Sequence, residues 1–200
     1  MTRENTVASA RENLIFATID LVRRRGVAGT GLAEIIKASG RSRRTVYLNF
    51  PAGKEEMVRE ATQFAGAATS RSIDALISTQ PTDQVLRTLI AGWTSTLERS
   101  HHRSGCPVLA AALGRHDAPT ASDAAGIAFG DWIHLVTDSL TRSGVPTEPA
   151  RDMATTVVAA IEGAIAMCLA TSSTEPLRRV ESALLRTIAQ TSAEYVDRTP

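Results

Sequence analysis

The segment ASGRSRRTVYLNF, residues 38–50, concentrates positive charge at the start of a short apolar-patterned stretch. Arg41, Arg43 and Arg44 surround Ser42, and serine is favoured immediately before a helix. An arginine at the amino end of a helix can bond the O6 and N7 atoms of guanine together, which discriminates between bases by ~1–3 kcal/mol. The segment therefore predicts a helix tip that contacts DNA.

Uncharged hydrogen-bond donors follow the arginines. Thr45, Tyr47 and Asn49 suit phosphate oxygens, and Lys54 can bind a phosphate as a point charge after the break at Pro51. The alternative interpretation is a solvated corner between two helices, in which the arginines bind nothing.

The net charge of +1 hides an uneven distribution along the chain. Residues 1–54 hold ten Lys and Arg, including Arg3, against four acidic residues, a net +6, which leaves −5 for residues 55–200. A basic first part favours a polyanionic partner, although chance clustering on a solvated surface would give the same balance.

Apolar residues recur with a period near 3.6 along the whole chain, and the alternation typical of strands is absent. The pattern predicts an all-α fold of about nine helices. They are expected at residues 7–25, 32–39, 43–49, 54–78, from a cap at Thr82 or Asp83 to about Arg99, from Pro107 onward, 119–142, 149–171 and 175–196.

The eighth and ninth predicted helices are apolar on two faces, and both faces must be covered. One cover can be the core of the chain, and a second copy of the chain is expected as the other, because two-fold pairing is the commonest oligomer. Complete burial inside one chain is the alternative. The expected dimer contacts are Val157, Val158, Ile161, Ile165, Leu184, Leu185 and Ile188.

Residues 8–60 resemble the N-terminal domain of TetR-family transcriptional repressors. The resemblance is carried by a helix ending in Gly, a short helix ending in Ala-x-Gly, Thr-hydrophobic-Tyr, an aromatic-Pro break and Lys-Glu-x-hydrophobic, in that order. FPAGKEE and SGCPVLAAAL are similar to the LmrA/YxaF-like group of the family. The resemblance implies a DNA-binding helix-turn-helix domain at 1–54 and a ligand-binding and dimerisation domain at 55–200. It further implies a homodimeric repressor that a small molecule releases from a pseudo-palindromic operator.

The same resemblance implies residue roles. Arg43 and Arg44 fall at base-facing positions, and Gly31 stands where the family has a Ser or Thr cap, which makes Thr30 the candidate cap of the second helix. The expected DNA contacts are Thr30, Gly31, Arg41, Ser42, Arg43, Arg44, Thr45, Tyr47, Asn49 and Lys54.

The candidate ligand contacts are apolar or aromatic residues expected to face inward, and each of them also suits an ordinary core position. They are Phe64, Leu86, Ile90, Trp93, Cys106, Leu109, Leu113, Phe129, Trp132, Ile133 and Val136. Trp93, Phe129 and Trp132 together favour a flat or apolar effector. Glu162 is open to three interpretations: a paired core carboxylate, a ligand contact or a dimer contact.

Other classes of function have no motif in this sequence. No Ser/His/Asp order, HExxH, P-loop or dinucleotide glycine pattern occurs, so we expect no enzyme, cofactor or metal site. Cys106 and Cys168 have no metal-binding or redox spacing, and a sequence without a disulfide framework is typical of a cytoplasmic protein. The apolar run VVAAIEGAIAMCLA, about 14 residues long, is too short to span a membrane. The alternative function is a helical carrier or an enzyme that does not bind DNA.

Overall fold

A computed structural model describes residues 9–196 of the chain, and this range contains nine helices and no strand. The all-α prediction is confirmed. Residues 7 and 8 of the first predicted helix, and Arg3 of the charge count, lie outside the described residues. The helices are α1 (Ala10–Arg25), α2 (Leu32–Ser39), α3 (Arg43–Asn49), α4 (Lys54–Ile77), α5 (Thr82–Arg99), α6 (Pro107–Leu113), α7 (Pro119–Arg142), α8 (Thr147–Thr171) and α9 (Glu175–Val196).

Serine and glycine residues determine where the first three helices begin or end. Ser9 caps α1, since its hydroxyl accepts from the Glu12 amide at 3.1 Å and the Glu12 carboxylate accepts from the Ser9 amide. Gly40 ends α2 at φ 66°, a left-handed conformation that glycine adopts without strain. The Ser42 hydroxyl then accepts from the Thr45 amide at 3.1 Å and starts α3 as predicted.

The predicted cap of α2 is wrong. Thr30 is fully buried, and its hydroxyl donates to the Gly26 carbonyl at 2.7 Å. The helix begins after Gly31, whose amide donates to the Glu34 carboxylate at 3.3 Å. This amide and the Arg25 guanidinium lower the pKa of Glu34. A side chain three residues inside the helix therefore replaces the missing cap.

The predicted cap of α5 is also wrong. The helix begins after Pro81, and no side chain caps it. The hydroxyl of Thr82 instead lies 2.8 Å from that of Ser139 on α7. The Thr82 hydroxyl therefore bonds a residue that is distant in sequence, which the sequence cannot indicate.

The described residues form two compact units. The first unit contains Pro107–Ala125 together with the described residues up to Ala65, and the second contains Gly66–Cys106 together with those from Gly126 onward. The helices α4 and α7 each contribute residues to both units. The first unit extends beyond the boundary predicted after residue 54, because α6 packs on α1.

The core of the first unit joins α1, α2, α3 and the start of α4. Phe50 is fully buried at the break after α3, and the Arg11 guanidinium lies 4.9 Å from the centre of its ring. Arg11 also pairs with Glu60 of α4. One arginine therefore connects the beginning of α1 to both the end of α3 and the beginning of α4. The buried apolar residues of this core are Leu14, Ile15, Leu21, Ile35, Val46, Phe50, Met57 and Ala61.

The core of the second unit contains most of the residues predicted to form the dimer contact. Five of the seven are buried in the single chain, namely Val157, Ile161, Ile165, Leu184 and Ile188, and Val158 and Leu185 are half-buried. These five therefore pack in the chain's own core, which leaves at most 8% of each residue exposed. The exposed small and apolar residues of α8 are Ala159, Gly163, Ala166, Met167 and Ala170.

The helix α8 is long and apolar enough to cross a membrane by length and composition, with a mean hydropathy of 1.8 over 18 residues, of which 44% are buried. It is longer than the predicted apolar run because it begins at Thr147 and ends at Thr171. A core helix of a globular protein meets the same criterion, and α8 supplies the fully buried Ile165 and Cys168 to the second core.

Candidate nucleic-acid interface and ligand cavity

The helices α2 and α3 form the corner that the sequence predicts, with Gly40, Arg41 and Ser42 between them. Val46 is fully buried and packs α3 into the core of the first unit. Arg43 and Arg44, in the first turn of α3, are exposed. The helix therefore presents its arginines to solvent while an apolar residue of the next turn anchors it.

The basic residues of α1 differ in their ion-pair partners from those of α3 and its neighbouring segments. Three arginines of α1 pair with carboxylates, as Arg11 with Glu60, Arg24 with Asp20 and Arg25 with Glu34. Within residues 9–196, no ion pair includes Lys37, Arg41, Arg43, Arg44 or Lys54. The positive charge at the tip of α3 is thus uncompensated by the chain, as a site for a polyanion requires.

The predicted uncharged donors are partly engaged within α3. The Asn49 side-chain amide donates to the Thr45 carbonyl at 2.8 Å, and the Thr45 hydroxyl lies 2.9 Å from that of Ser42. Tyr47 is 47% exposed and is free of such a bond. Lys54, half-buried, begins α4. Tyr47 and Lys54 are therefore the freer phosphate donors.

Three other members of the predicted DNA-contact set differ from Arg43 and Arg44. Thr30 is fully buried and its hydroxyl is used inside the chain, so a DNA contact by this side chain is wrong. Gly31 is half-buried and offers only backbone. Arg41 is half-buried, and its Nε is buried without a hydrogen-bond partner.

A cavity lies in the second unit, between α4, α5, α7 and α8. It comprises about 450 Å³ of empty space, its open mouth included. Its lining is almost entirely apolar and consists of Thr69, Ile73, Leu89, Trp93, Trp132, Val136, Val157, Val158, Ile161 and Glu162.

Three of the predicted ligand contacts, Trp93, Trp132 and Val136, line this cavity. Leu86 lines a second cavity, which Val136 also borders, and Ile90 is a fully buried core residue. Phe129 packs edge to face on Trp132 with ring centres 5.3 Å apart, and the half-buried Ile133 packs on the core.

The remaining predicted ligand contacts do not line the cavity. Phe64, Leu109 and Leu113 belong to the first unit. Phe64 packs edge to face on Phe16, and Leu113 is 80% exposed. Cys106 is buried and donates its thiol hydrogen to Glu162 instead.

The sequence assigned four cavity residues to other roles or left them open. Val157, Val158 and Ile161 were expected at the dimer contact, and the role of Glu162 was undecided. Two apolar stripes on a helix indicate that both stripes are covered, but they do not indicate what covers them. The sequence pattern of α8 therefore does not distinguish a cavity wall from a dimer contact.

Burial raises the pKa of Glu162 to about 7, while the Cys106 thiol acts in the opposite direction. The side chain is 7% exposed, and its Oε2 is buried without a hydrogen-bond partner. This carboxyl group is the main polar feature of an otherwise apolar cavity.

Comparison with known proteins identifies the family. Residues 14–61 match the family described as bacterial regulatory proteins, tetR family, and residues 83–183 match the LmrA/YxaF-like transcriptional regulator C-terminal domain. The HTH-type transcriptional regulator LmrA of Bacillus subtilis is 27% identical over 178 residues, which cover 88% of this chain and 94% of that protein. An uncharacterized HTH-type transcriptional regulator of Mycobacterium tuberculosis is 26% identical over 181 residues, with coverages of 87% and 91%.

Solved structures share the fold of this chain. The crystal structure of regulatory protein TetR from Rhodobacter sphaeroides superposes with a TM-score of 0.80 at 18% identity, covering 90% of this chain and 98% of that one. The family match over more than half of the sequence, the uncompensated arginines of α3 and the helical fold agree: the chain belongs to the TetR family of bacterial transcriptional regulators, with a C-terminal domain of the LmrA/YxaF-like type, and is a DNA-binding transcriptional regulator.

Proposed function

We propose that the chain is a homodimeric repressor that leaves a pseudo-palindromic operator when a small apolar molecule occupies the cavity of the second unit. The observation that carries the DNA-binding part is the exposed, unpaired Arg43 and Arg44 on a helix anchored by the buried Val46. The cavity between α4, α5, α7 and α8 supports the ligand-binding part.

In this proposal α3 enters the major groove by its first turn. Arg43 and Arg44 contact base edges, because an arginine there can bond two guanine acceptors at once. Tyr47 and Lys54 contact phosphate oxygens, which position the helix without reading sequence. Two such helices in a dimer bind half-sites about one DNA turn apart, ~34–36 Å.

The exposed row Ala159, Gly163, Ala166, Met167 and Ala170 of α8 is the proposed dimer contact, in place of the buried residues predicted from sequence. Small residues allow two helices to approach closely, and Met167, 57% exposed, provides apolar area. Pairing through this row covers an apolar strip that water would otherwise face.

The proposed release is a coupling between ligand and DNA. The helices α4 and α7 line the cavity through Thr69, Ile73, Trp132 and Val136, and both helices also contribute residues to the first unit. A ligand that favours one position of α4 and α7 disfavours the distance between the two α3 helices that DNA binding requires. Such couplings are typically ~1–3 kcal/mol. We place the protein in the cytoplasm, with neither an enzymatic activity nor a membrane partner.

The test is DNA binding as a function of salt. Fragments that the purified protein retains from bacterial genomic DNA are sequenced, and a retained fragment and a random duplex are titrated by fluorescence anisotropy between 50 and 200 mM salt. A repressor loses affinity steeply with salt on both duplexes and prefers the retained fragment. Absence of binding to both duplexes at 50 mM salt would contradict the proposal and favour a helical carrier.

A further inference from the structure

Glu162 lines the cavity from the middle of α8. Its side chain is 7% exposed, the Cys106 thiol donates a hydrogen bond to its carboxyl group, and Oε2 is buried without a partner. Among the residues that line this cavity, all of them described, Glu162 is the only charged one.

The chain supplies no positive charge to this carboxylate. No ion pair within residues 9–196 includes Glu162, and the other polar groups of the lining are the Thr69 hydroxyl and the two indoles. The Trp132 N–H is used, since it donates to the Gly66 carbonyl at 3.3 Å. A buried carboxylate without a counter-charge is unfavourable, and this burial raises the pKa of Glu162 to about 7. A cation that enters the cavity would stabilise the ionised form.

The remaining lining suits an organic cation better than a hydrated metal ion. Trp93 and Trp132 both border the cavity, and indole faces attract ammonium groups. Ile73, Leu89 and Val136 add an aliphatic wall that would cover an apolar body.

We infer, on the basis of the proposed ligand-binding role of this cavity, that the effector is a lipophilic organic cation whose positive charge is held by the carboxylate of Glu162 in the cavity that both tryptophans line. An anionic ligand would be repelled by the carboxylate. A neutral apolar ligand would deepen the burial of Glu162 and provide no counter-charge. The charge therefore selects among apolar molecules of equal size.

The test compares two molecules of the same shape that differ in charge. Benzyltrimethylammonium is the cation and neopentylbenzene is its uncharged isostere, and both are titrated into the full-length protein at equal concentrations. Trp93 and Trp132 are the only tryptophans in the sequence and both line the cavity, so intrinsic fluorescence reports on this site directly. We expect the cation to bind at least tenfold more tightly, which corresponds to about 1.4 kcal/mol.

Glu162→Gln removes the charge and keeps the size of the side chain. It is expected to weaken binding of the cation at least tenfold and not to weaken binding of neopentylbenzene, because a neutral ligand gains nothing from the carboxylate. Glu148→Gln is the matched control, because Glu148 is an exposed glutamate on the same helix, and it should change neither affinity. Equal binding of both molecules by the wild type, no binding of the cation at 1 mM, or an undiminished preference in a folded Glu162→Gln protein would overturn the inference. The wild-type comparison is decisive even if the variant does not fold.

A second measurement separates this inference from the proposed function. The cation is added to the complex of the protein with a retained DNA fragment, and DNA release is followed by anisotropy. Tight, Glu162-dependent binding of the cation without DNA release would support the cation site and contradict ligand-controlled release. Release of DNA by neutral molecules alone would support the regulatory role and overturn the cation site.

Discussion

The indole N–H of Trp132, which lines the cavity of the second unit, donates a hydrogen bond to the backbone carbonyl of Gly66 at 3.3 Å and so joins α7 to α4. The absence of a side chain at Gly66 permits this approach, since a Cβ there would lie 2.7 Å from the Cβ of Ala128. Each Cβ is bonded directly to the backbone of its helix, so neither can move aside without displacing a helix.

Gly66→Ala is expected to destabilise the protein by ~1–3 kcal/mol, because overpacking forces the two helices apart. Urea unfolding measures the change. Gly130→Ala is the control on α7, where an added Cβ meets nothing within 4 Å, and it should stabilise by up to ~1 kcal/mol through helix propensity. The same gain in stability from both substitutions would show that the close approach of the helices at Gly66 can accommodate a methyl group.

Arg44→Ala and Lys54→Ala are expected to affect DNA binding differently. Loss of a base-reading arginine should cost ~1–3 kcal/mol on the operator and little on random DNA, whereas loss of a phosphate-binding lysine should weaken both alike. Anisotropy titrations on a retained fragment and a random duplex measure the two effects. Arg71→Ala is the control, since Arg71 is an exposed arginine on α4 outside the proposed DNA site. Equal losses for Arg44→Ala on both duplexes would remove its base-reading role.

The cap of α3 can be separated from its charge. Ser42→Ala removes the hydroxyl that accepts from the Thr45 amide and should cost ~1 kcal/mol of stability. Ser42→Asp keeps a capping oxygen but places a negative charge beside Arg43 and Arg44. We expect this variant to melt like the wild type and to bind both duplexes more weakly, as measured by circular dichroism and anisotropy. Wild-type DNA affinity in folded Ser42→Asp would contradict the placement of this tip against DNA.

The proposed dimer contact predicts the effect of a large charge on α8. Ala166→Arg should convert the dimer to a monomer and weaken operator binding, because two half-sites are then no longer held together. Light scattering coupled to size exclusion measures the mass. Ala91→Arg is the control, since Ala91 is an exposed alanine on α5. A dimer that persists in Ala166→Arg would move the contact away from this row.

Glu162 predicts a pH dependence of stability. Burial raises the pKa of its carboxyl group from the ordinary 4.5 to about 7, so the folded chain binds this proton more tightly than the unfolded chain does. The stability that follows is complete below pH 4.5 and is lost as the pH rises to about 7. Relative to Glu162→Gln, the wild type should lose about 3 kcal/mol of unfolding free energy between pH 4.5 and pH 8.

Urea unfolding of both proteins at several pH values measures this difference. Cys106 is the titratable group that faces Glu162, and the other cavity residues are uncharged. Cys106 is present in both proteins, so the comparison isolates the glutamate. A pH-independent difference between the two proteins would mean that Glu162 is better solvated than its burial indicates.

Much of the fold could be predicted because its signals are local. Gly40 ends α2, Ser42 starts α3 and Pro107 begins α6, and each acts on the backbone of its own neighbours. The arginines of α3 could also be predicted as exposed, since the apolar Val46 shows which side of this short helix faces inward. Residue type and spacing suffice for features of this kind.

The cavity could not be predicted in the same way. Val157 and Ile161 have the spacing of an apolar stripe whether the stripe faces the core, a ligand or a second chain, and the structure places them in the core and the cavity wall. Glu162 breaks that stripe, but only its burial and its unpartnered Oε2 support the proposed site for an external charge over a paired carboxylate. These properties depend on helices that are distant in sequence.

The contacts of Arg11 have a mechanical consequence. This side chain is held over the ring of Phe50 and pairs with Glu60, so the beginning of α1, the end of α3 and the first turns of α4 are clamped together. A rotation of the first turns of α4 would therefore carry α3 with it, in the manner of a lever whose tip is the arginine-bearing end of α3. In the proposed dimer, this motion would change the distance between the two α3 helices.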